Sequence, residues 1–216
     1  MSSRELVDFN QEPVKFIEDE ISLKILRNPL YMPILKILRT GNKTAKDIKN
    51  EYEEQTGNKI NIKSLYRQLQ TLTEADLITE AGVRITKDKK ENKQVTKTEK
   101  LYSRTAKFFY LQTKHDEIFD TKRIKKRSKI LSQLLSLSPD VEVSSVDCLA
   151  ALLEKLYSFQ LQGSESLYRD FPDKVADIAG DLPLEDLQEI MGDFVTFNVL
   201  LNFEDFEKDL KNCIKK

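Results

Sequence analysis

Residues 61–78 read NIKSLYRQLQTLTEADLI, and the spacing inside this stretch decides the fold. Ile62, Leu65, Leu69 and Leu72 recur at helical intervals, so they line one face of a helix that Asn61 caps with its side-chain oxygen. Lys63, Ser64, Tyr66, Arg67 and Gln70 fall on the opposite face, which is polar, basic and aromatic. An amphipathic helix of this kind docks its apolar side on other helices and leaves the other side for a partner.

The flanking sequence supplies what such a helix docks on. Upstream, Thr44 and Asp47 make an approximate capping box, Ala45, Ile48 and Tyr52 line one face of a second helix, and Gly57 with Asn58 ends it. Before that, apolar positions from Leu23 to Leu38 describe a helix in two pieces, because Pro29 and Pro33 are tolerated only near a helix start; Gly41 stops it. Downstream, Leu77, Ile78, Val83 and Ile85 predict one strand, and Leu101, Tyr102 and Ser103 a returning one. The intervening TKDKKENKQVTKTEK (86–100) carries six lysines against three acids and is expected to be the long tip of a β-hairpin. Thr105 to Thr113 is expected to resume as helix, and residues 1–21 to form an arm or short helix.

The net charge of −1 hides a division. Residues 1–129 hold 28 Lys and Arg against 19 Asp and Glu, a balance of +9; residues 130–216 hold 7 against 17, a balance of −10. A basic half suits a polyanion and an acidic half is repelled by one. TKRIKKRSK (121–129) places six positive charges in nine positions, with Ile124 as the one large apolar residue, and reads as an exposed boundary helix. Beyond it the pattern is helical: 130–137, 144–161, 164–179, 184–203 and a last stretch to Ile214, with Gly163, Gly180 and Pro183 as breaks.

Three helices, a two-stranded wing and a further helix make a winged helix-turn-helix, whose third helix enters the DNA major groove. The residues also resemble a known group. LRNPLYMPILKILRTG (26–41) looks like the opening helix of ArsR-type regulators, IKSLYRQLQTLTEADLI (62–78) is similar to the recognition helix of ArsR-type and PadR-type regulators, and KLYSRTAK (100–107) looks like the returning wing strand. The resemblance covers about 90 of the 216 residues. It implies a prokaryotic, archaeal-like transcriptional regulator in which Tyr66 and Arg67 face DNA. The long connection in EEQTGNKINIKSLY (53–66) is closer to the PadR-type arrangement.

Other chemistries find little support. A single His (His115) and two distant cysteines, Cys148 and Cys213, argue against a metal sensor, and both cysteines read as buried or partly buried free thiols. There is no phosphate-binding Gly-rich loop, no nucleophile elbow and no HExxH, so no catalysis and no cofactor are expected. No uncharged apolar run is long enough to span a bilayer and no signal peptide is visible, so the chain is expected to be cytoplasmic and away from membranes.

The expected organisation is mainly α: an arm at 1–21, a winged helix-turn-helix at 22–112, a basic linker helix at 113–129 and an acidic all-helical dimerisation or effector domain at 130–216. The expected function is a homodimeric, sequence-specific regulator of double-stranded DNA, read by Asn61, Lys63, Ser64, Tyr66, Arg67 and Gln70 and by the wing lysines Lys87, Lys89, Lys90, Lys93 and Lys97. For each there is a plainer reading: an ordinary solvated helix face, Tyr66 as core, or a charged loop that serves solubility. The alternative function is a protein-interaction module in a transcription or membrane-remodelling complex, with the acidic helical half as the partner surface; burial of Arg67 and Tyr66 against the protein's own helices would favour it. The helical half is open to a small-molecule effector or a protein partner.

Overall fold

The computed structural model describes residues 2–90, 93–111 and 120–215, without the side chains of Ser2, 88–90 and 93–95. The chain divides into two compact units: Met1–Gln112 with Pro172–Leu187, and Thr113–Phe171 with Gln188–Lys216.

In the first unit, helices α1 (Glu20–Leu26) and α2 (Met32–Ile37) are the two pieces expected around Pro29 and Pro33, with a 3-10 turn at Leu38–Thr40. Strand β3 (Lys43–Thr44) leads into α3 (Ala45–Thr56), then α4 (Ile62–Glu74). The Thr44/Asp47 capping box is complete in both directions, Gly57 ends α3 at φ 68°, and Asn61 accepts from the Lys63 N–H. Ile34, Ile37, Leu38, Ile48, Leu65, Leu69, Leu72, Leu77 and Ile78 form the core, each at most 1% exposed. Burial of each such side chain stabilises the fold by about 1.5–3 kcal/mol.

Strands β4 (Ile78–Lys90) and β5 (Lys93–Arg104) form the hairpin. Their ladder runs from Ile78 opposite Arg104 to Lys90 opposite Lys93, so pairing continues through the polar tip, because the bonds are between backbone groups. The N-terminal residues are strands instead of an arm or short helix. β1 (Ser2–Val7) adds antiparallel to β4, giving the order β1-β4-β5-β3. It runs from Ser2 opposite Lys87 to Val7 opposite Gly82. A register shift between Glu80 and Gly82 marks where it joins. Gly82 has φ 149°, and a Cβ there would lie 2.0 Å from the Leu6 carbonyl oxygen, so the close approach of β1 requires glycine.

The helix expected at Thr105–Thr113 is instead strand β6 (Ala106–Leu111), paired in parallel with β2 (Glu12–Ile17). The aromatic run Phe108-Phe109-Tyr110 suits a pleated ribbon; Phe16 and Tyr110 meet at a tilt of 56° with ring centroids 5.3 Å apart. Helix α7 (Pro172–Ala179) packs against β2, and Arg39, only 8% exposed, explains why this distant segment joins the unit. Its guanidinium donates to the carbonyls of Leu182, Lys107 (3.2 Å) and Ala179 (3.1 Å). Ion pairs from Lys36 to Glu185 and Lys107 to Asp181 add to the join.

The second unit is helical: α5 (Thr121–Leu135), α6 (Val146–Asp170), the later turns of α8 (Leu184–Leu201) and α9 (Glu204–Cys213). A small ribbon pairs β7 (Glu142–Val143) with β8 (Ile214–Lys215). Three expectations change here. All six Lys and Arg of the basic run are exposed, but the helix does not end at 129: α5 continues through the run to Leu135, with Ile124 and Ser128 buried. Gly163 does not break its helix; it lies within α6, where a Cβ would meet the Asn198 amide at 2.5 Å. The cysteines are not free thiols: Cys148, near the start of α6, and Cys213, at the end of α9, form a disulfide with a Cα separation of 5.5 Å.

Candidate nucleic-acid interface

Helix α4 divides as its spacing requires except at Ile62, which is exposed at the first turn where the core does not reach it. Leu65, Leu69 and Leu72 are buried in the core, while Asn61, Lys63, Ser64, Tyr66, Arg67 and Gln70 are exposed. Tyr66 is 50% exposed, which removes its reading as a core residue. Two of the six have internal work. Asn61 holds the helix start through the Lys63 N–H at 2.8 Å, and the Gln70 amide donates to Glu74 at 2.8 Å. Lys63, Ser64, Tyr66 and Arg67 form the rest of the exposed face.

Beside this face lies an open cleft of about 410 Å³. Ile62 and Tyr66 of α4, Lys46 in the first turn of α3, and Lys97, Lys100 and Tyr102 of β5 line it. The wing thus brings Lys97 to the same cleft as Tyr66. Lys87 is exposed on β4, opposite Thr96. The side chains of Lys89, Lys90 and Lys93 lie outside the described residues.

Acidic side chains temper the cleft's positive charge. Glu99 pairs with Lys97 at 3.0 Å and with Lys46 at 3.4 Å; Glu80 pairs with Lys100 at 2.6 Å. The hydrogen bond that Lys97 donates leads the effects that hold Glu99 below its usual carboxylate range, and the one that Lys100 donates to Glu80 raises Lys100. Burial, with the negative charge of Glu80, pushes the Tyr102 phenol up, so its hydroxyl stays protonated at neutral pH and is a neutral donor or acceptor at the cleft floor.

Arg84 fixes the wing against the helices. Its guanidinium donates to Asp47 at 2.6 Å and pairs with Glu5 at 2.7 Å, tying β4 to the N-terminus of α3 and to β1. Burial opposes the charge on Asp47, yet the hydrogen bonds from Thr44 and Arg84 outweigh it and hold the carboxyl below its usual range.

The sequence reading missed Lys46, Lys100 and Tyr102. Thr44 and Asp47 carried the signal for Lys46, since a capping box fixes where a helix begins, but the approach of that end to β5 is a tertiary fact. Among the described residues, no group of three His, Cys, Asp or Glu side chains converges as a metal site would require, and no helix is long and apolar enough to cross a membrane.

No protein-family model matches the chain, and no curated protein matches it. Among solved structures, the crystal structure of Bacillus subtilis PadR in complex with operator DNA aligns with 82% of this chain and 98% of its own, at 17% identity and a TM-score of 0.27. A superposition that loose leaves function to be argued from the side chains.

Proposed function

We propose that the protein is a non-enzymatic, sequence-specific regulator of transcription that binds double-stranded DNA through α4 and the wing. One observation carries this reading: α4 buries its leucines completely and leaves Lys63, Ser64, Tyr66 and Arg67 in solvent beside a lysine-bearing hairpin. A helix about 10–12 Å across fits a major groove about 12 Å wide. Arg67 is assigned to base reading, because a guanidinium can donate two parallel bonds to guanine O6 and N7; Lys63, Lys87 and Lys97 are assigned to phosphates. The assignment of Asn61 and Gln70 is weaker in energy, since each already spends a bond inside the helix.

The dimeric, cytoplasmic form is part of the same proposal. Phe197, Leu200 and Leu201 on α8 are 64%, 59% and 84% exposed, an apolar stripe of the kind a second copy covers, and a two-fold dimer reads two half-sites. Burial of Arg67 and Tyr66 against the protein's own helices would favour the interaction-module alternative; both are exposed, so that support is missing. The Glu80 and Glu99 pairs favour it, since they lower the charge a polyanion would feel.

The test is a mobility-shift titration on the DNA upstream of the protein's own gene at two salt concentrations. Arg67→Ala should weaken specific binding by about 1–3 kcal/mol, whereas Lys97→Gln should weaken all sequences alike and reduce the salt slope by about 1. A wild-type protein that shifts no DNA at low salt refutes the proposal.

A further inference from the structure

In the cleft beside α4, Glu99 holds two cations with a single oxygen. The ammoniums of Lys97 and Lys46 both pair with its Oε1, at 3.0 Å and 3.4 Å. Lys97 stands two residues earlier on β5, so the pleat puts both side chains on one face of the strand; Lys46 comes from the first turn of α3. The third lysine of the cleft, Lys100, is held in the same manner by Glu80, at 2.6 Å. These groups are reachable from solvent. The three lysine side chains are half or more exposed, that of Glu99 about a quarter, and the open cleft offers about 410 Å³.

Glu99 is not there to satisfy the arginine across from it. Arg84 stands opposite Glu99 in the β4–β5 ladder, but its guanidinium is engaged by Asp47 and Glu5. What the carboxylate does is hold two like charges, from two different elements, on one point. Ion pairs this exposed are weak, so an anion from outside that brings oxygens to the same point replaces the carboxylate at little cost. A phosphodiester carries the same single charge and two free oxygens to accept from the two ammoniums. A major groove is walled by sugar-phosphate strands, and with α4 in the groove the wall on the wing side passes this cleft.

We propose that the cleft is a seat for a backbone phosphodiester of bound DNA, which the free protein keeps filled with its own carboxylates: Glu99 between Lys46 and Lys97, and Glu80 on Lys100. The phosphate displaces them on binding. This inference rests on the DNA-binding reading and adds to it two lysines, Lys46 and Lys100, and two acids that compete with the ligand.

The test is a mobility-shift titration of the full-length protein on its upstream duplex and on a scrambled duplex of equal length, over a range of salt concentrations. Without the carboxylate of Glu99, one more positive charge is available to the phosphates. Glu99→Gln should then steepen the fall of log K with log[salt] by about 0.9, which between 1 M and about 50 mM salt accumulates to roughly tenfold tighter binding. Both duplexes should gain alike, because a phosphate carries no sequence. Adding Lys46→Gln to Glu99→Gln should cancel the gain. Glu54→Gln, which removes an equal charge from an exposed position in the later half of α3, should stay within about twofold of wild type, since screening confines the effect of a surface charge to roughly 10 Å. If Glu99→Gln does not fold, Glu80→Gln reports on the same cleft through Lys100 and should tighten both duplexes. A wild type that shifts neither duplex refutes the DNA-binding reading itself. Where wild type does shift DNA, three results overturn the seat alone: unchanged or weaker binding by the cleft variant, an equal gain in Glu54→Gln, or a gain that survives Lys46→Gln.

Discussion

Reducing the Cys148–Cys213 disulfide should destabilise the second unit severely, and the size of the loss follows from chain length. The bond joins residues 65 apart in sequence. Closing a loop of that length removes about 15 cal/mol/K from the unfolded chain in the chain-entropy treatment, or about 4 kcal/mol at 25 °C. The folded state gives little of this back, because other contacts hold the two ends together. The Ser144 N–H donates to the Cys213 carbonyl at 2.8 Å, the Ser144 hydroxyl to the Asn212 carbonyl at 2.7 Å, and β7 pairs with β8. With a shift of about 4–8 °C per kcal/mol for a unit of this size, the melting transition should fall by on the order of 15 °C or more. The assay is calorimetry of the oxidised protein, of the same protein in a phosphine reductant, and of Cys148→Ser/Cys213→Ser. Reduced and mutant proteins should coincide with each other and melt well below the oxidised one. Oxidised and reduced proteins that melt within about 2 °C of each other would refute the reasoning, since the cross-link would then not be restricting the unfolded chain.

Gly82→Ala should release β1 from the wing, because its Cβ would collide with the Leu6 carbonyl oxygen; a cost above about 1 kcal/mol is expected, read as faster proteolysis within residues 2–7, and unchanged cleavage would contradict it. Asp47→Asn should destabilise most at neutral pH. The wild-type carboxyl titrates below its unfolded value of about 3.9, so its contribution is complete above that pH and disappears as pH falls through the folded value; denaturant titrations should show the gap between the two proteins closing under acid, and a constant gap would count against the Thr44–Asp47–Arg84 linkage. Arg39→Met removes the side-chain donor from the Leu182 carbonyl and leaves the Ala179 carbonyl with the Leu182 N–H alone (3.3 Å), at a cost of about 1–3 kcal/mol. Hydrogen exchange should then report loss of protection across 172–187 before the α4 core opens, and uniform loss would show that Arg39 is not the fastening.

What could be read in advance was local. Asn61 with Leu65, Leu69 and Leu72, the Thr44/Asp47 box and Gly57 each state their own structure within a few residues, and α3 and α4 form as those residues require. The missed features depend on distant partners. β6 resembled a helix because Phe108, Phe109 and Leu111 offer no clean alternation, and its partner β2 lies some 90 residues earlier. The allegiance of Pro172–Leu187 rests on one arginine meeting backbone carbonyls, to which hydrophobic patterning is blind. Gly163 looked like punctuation but lies inside α6 against the Asn198 side chain, and the disulfide partners are too far apart to declare themselves. The solvent face of α4 was legible, because it is what remains once the leucines are buried; the cleft beside it was not, because Lys46 and Tyr102 reach it from other elements.

The strand that adds to the wing has a mechanical meaning. From Ile78 to Lys90 the hairpin is a beam about 40 Å long. Over Gly82 to Lys87 it is three strands wide, with β1 as a splint and the Arg84 pairs to Glu5 and Asp47 as rivets near the fixed end. Past Lys87 only two strands continue, for three more residue pairs, an overhang of about 10 Å. Bending stiffness rises steeply with width, so a load applied at the tip would be taken up in that overhang, while the braced lower half would keep Lys97 and Lys100 at a fixed distance from α4.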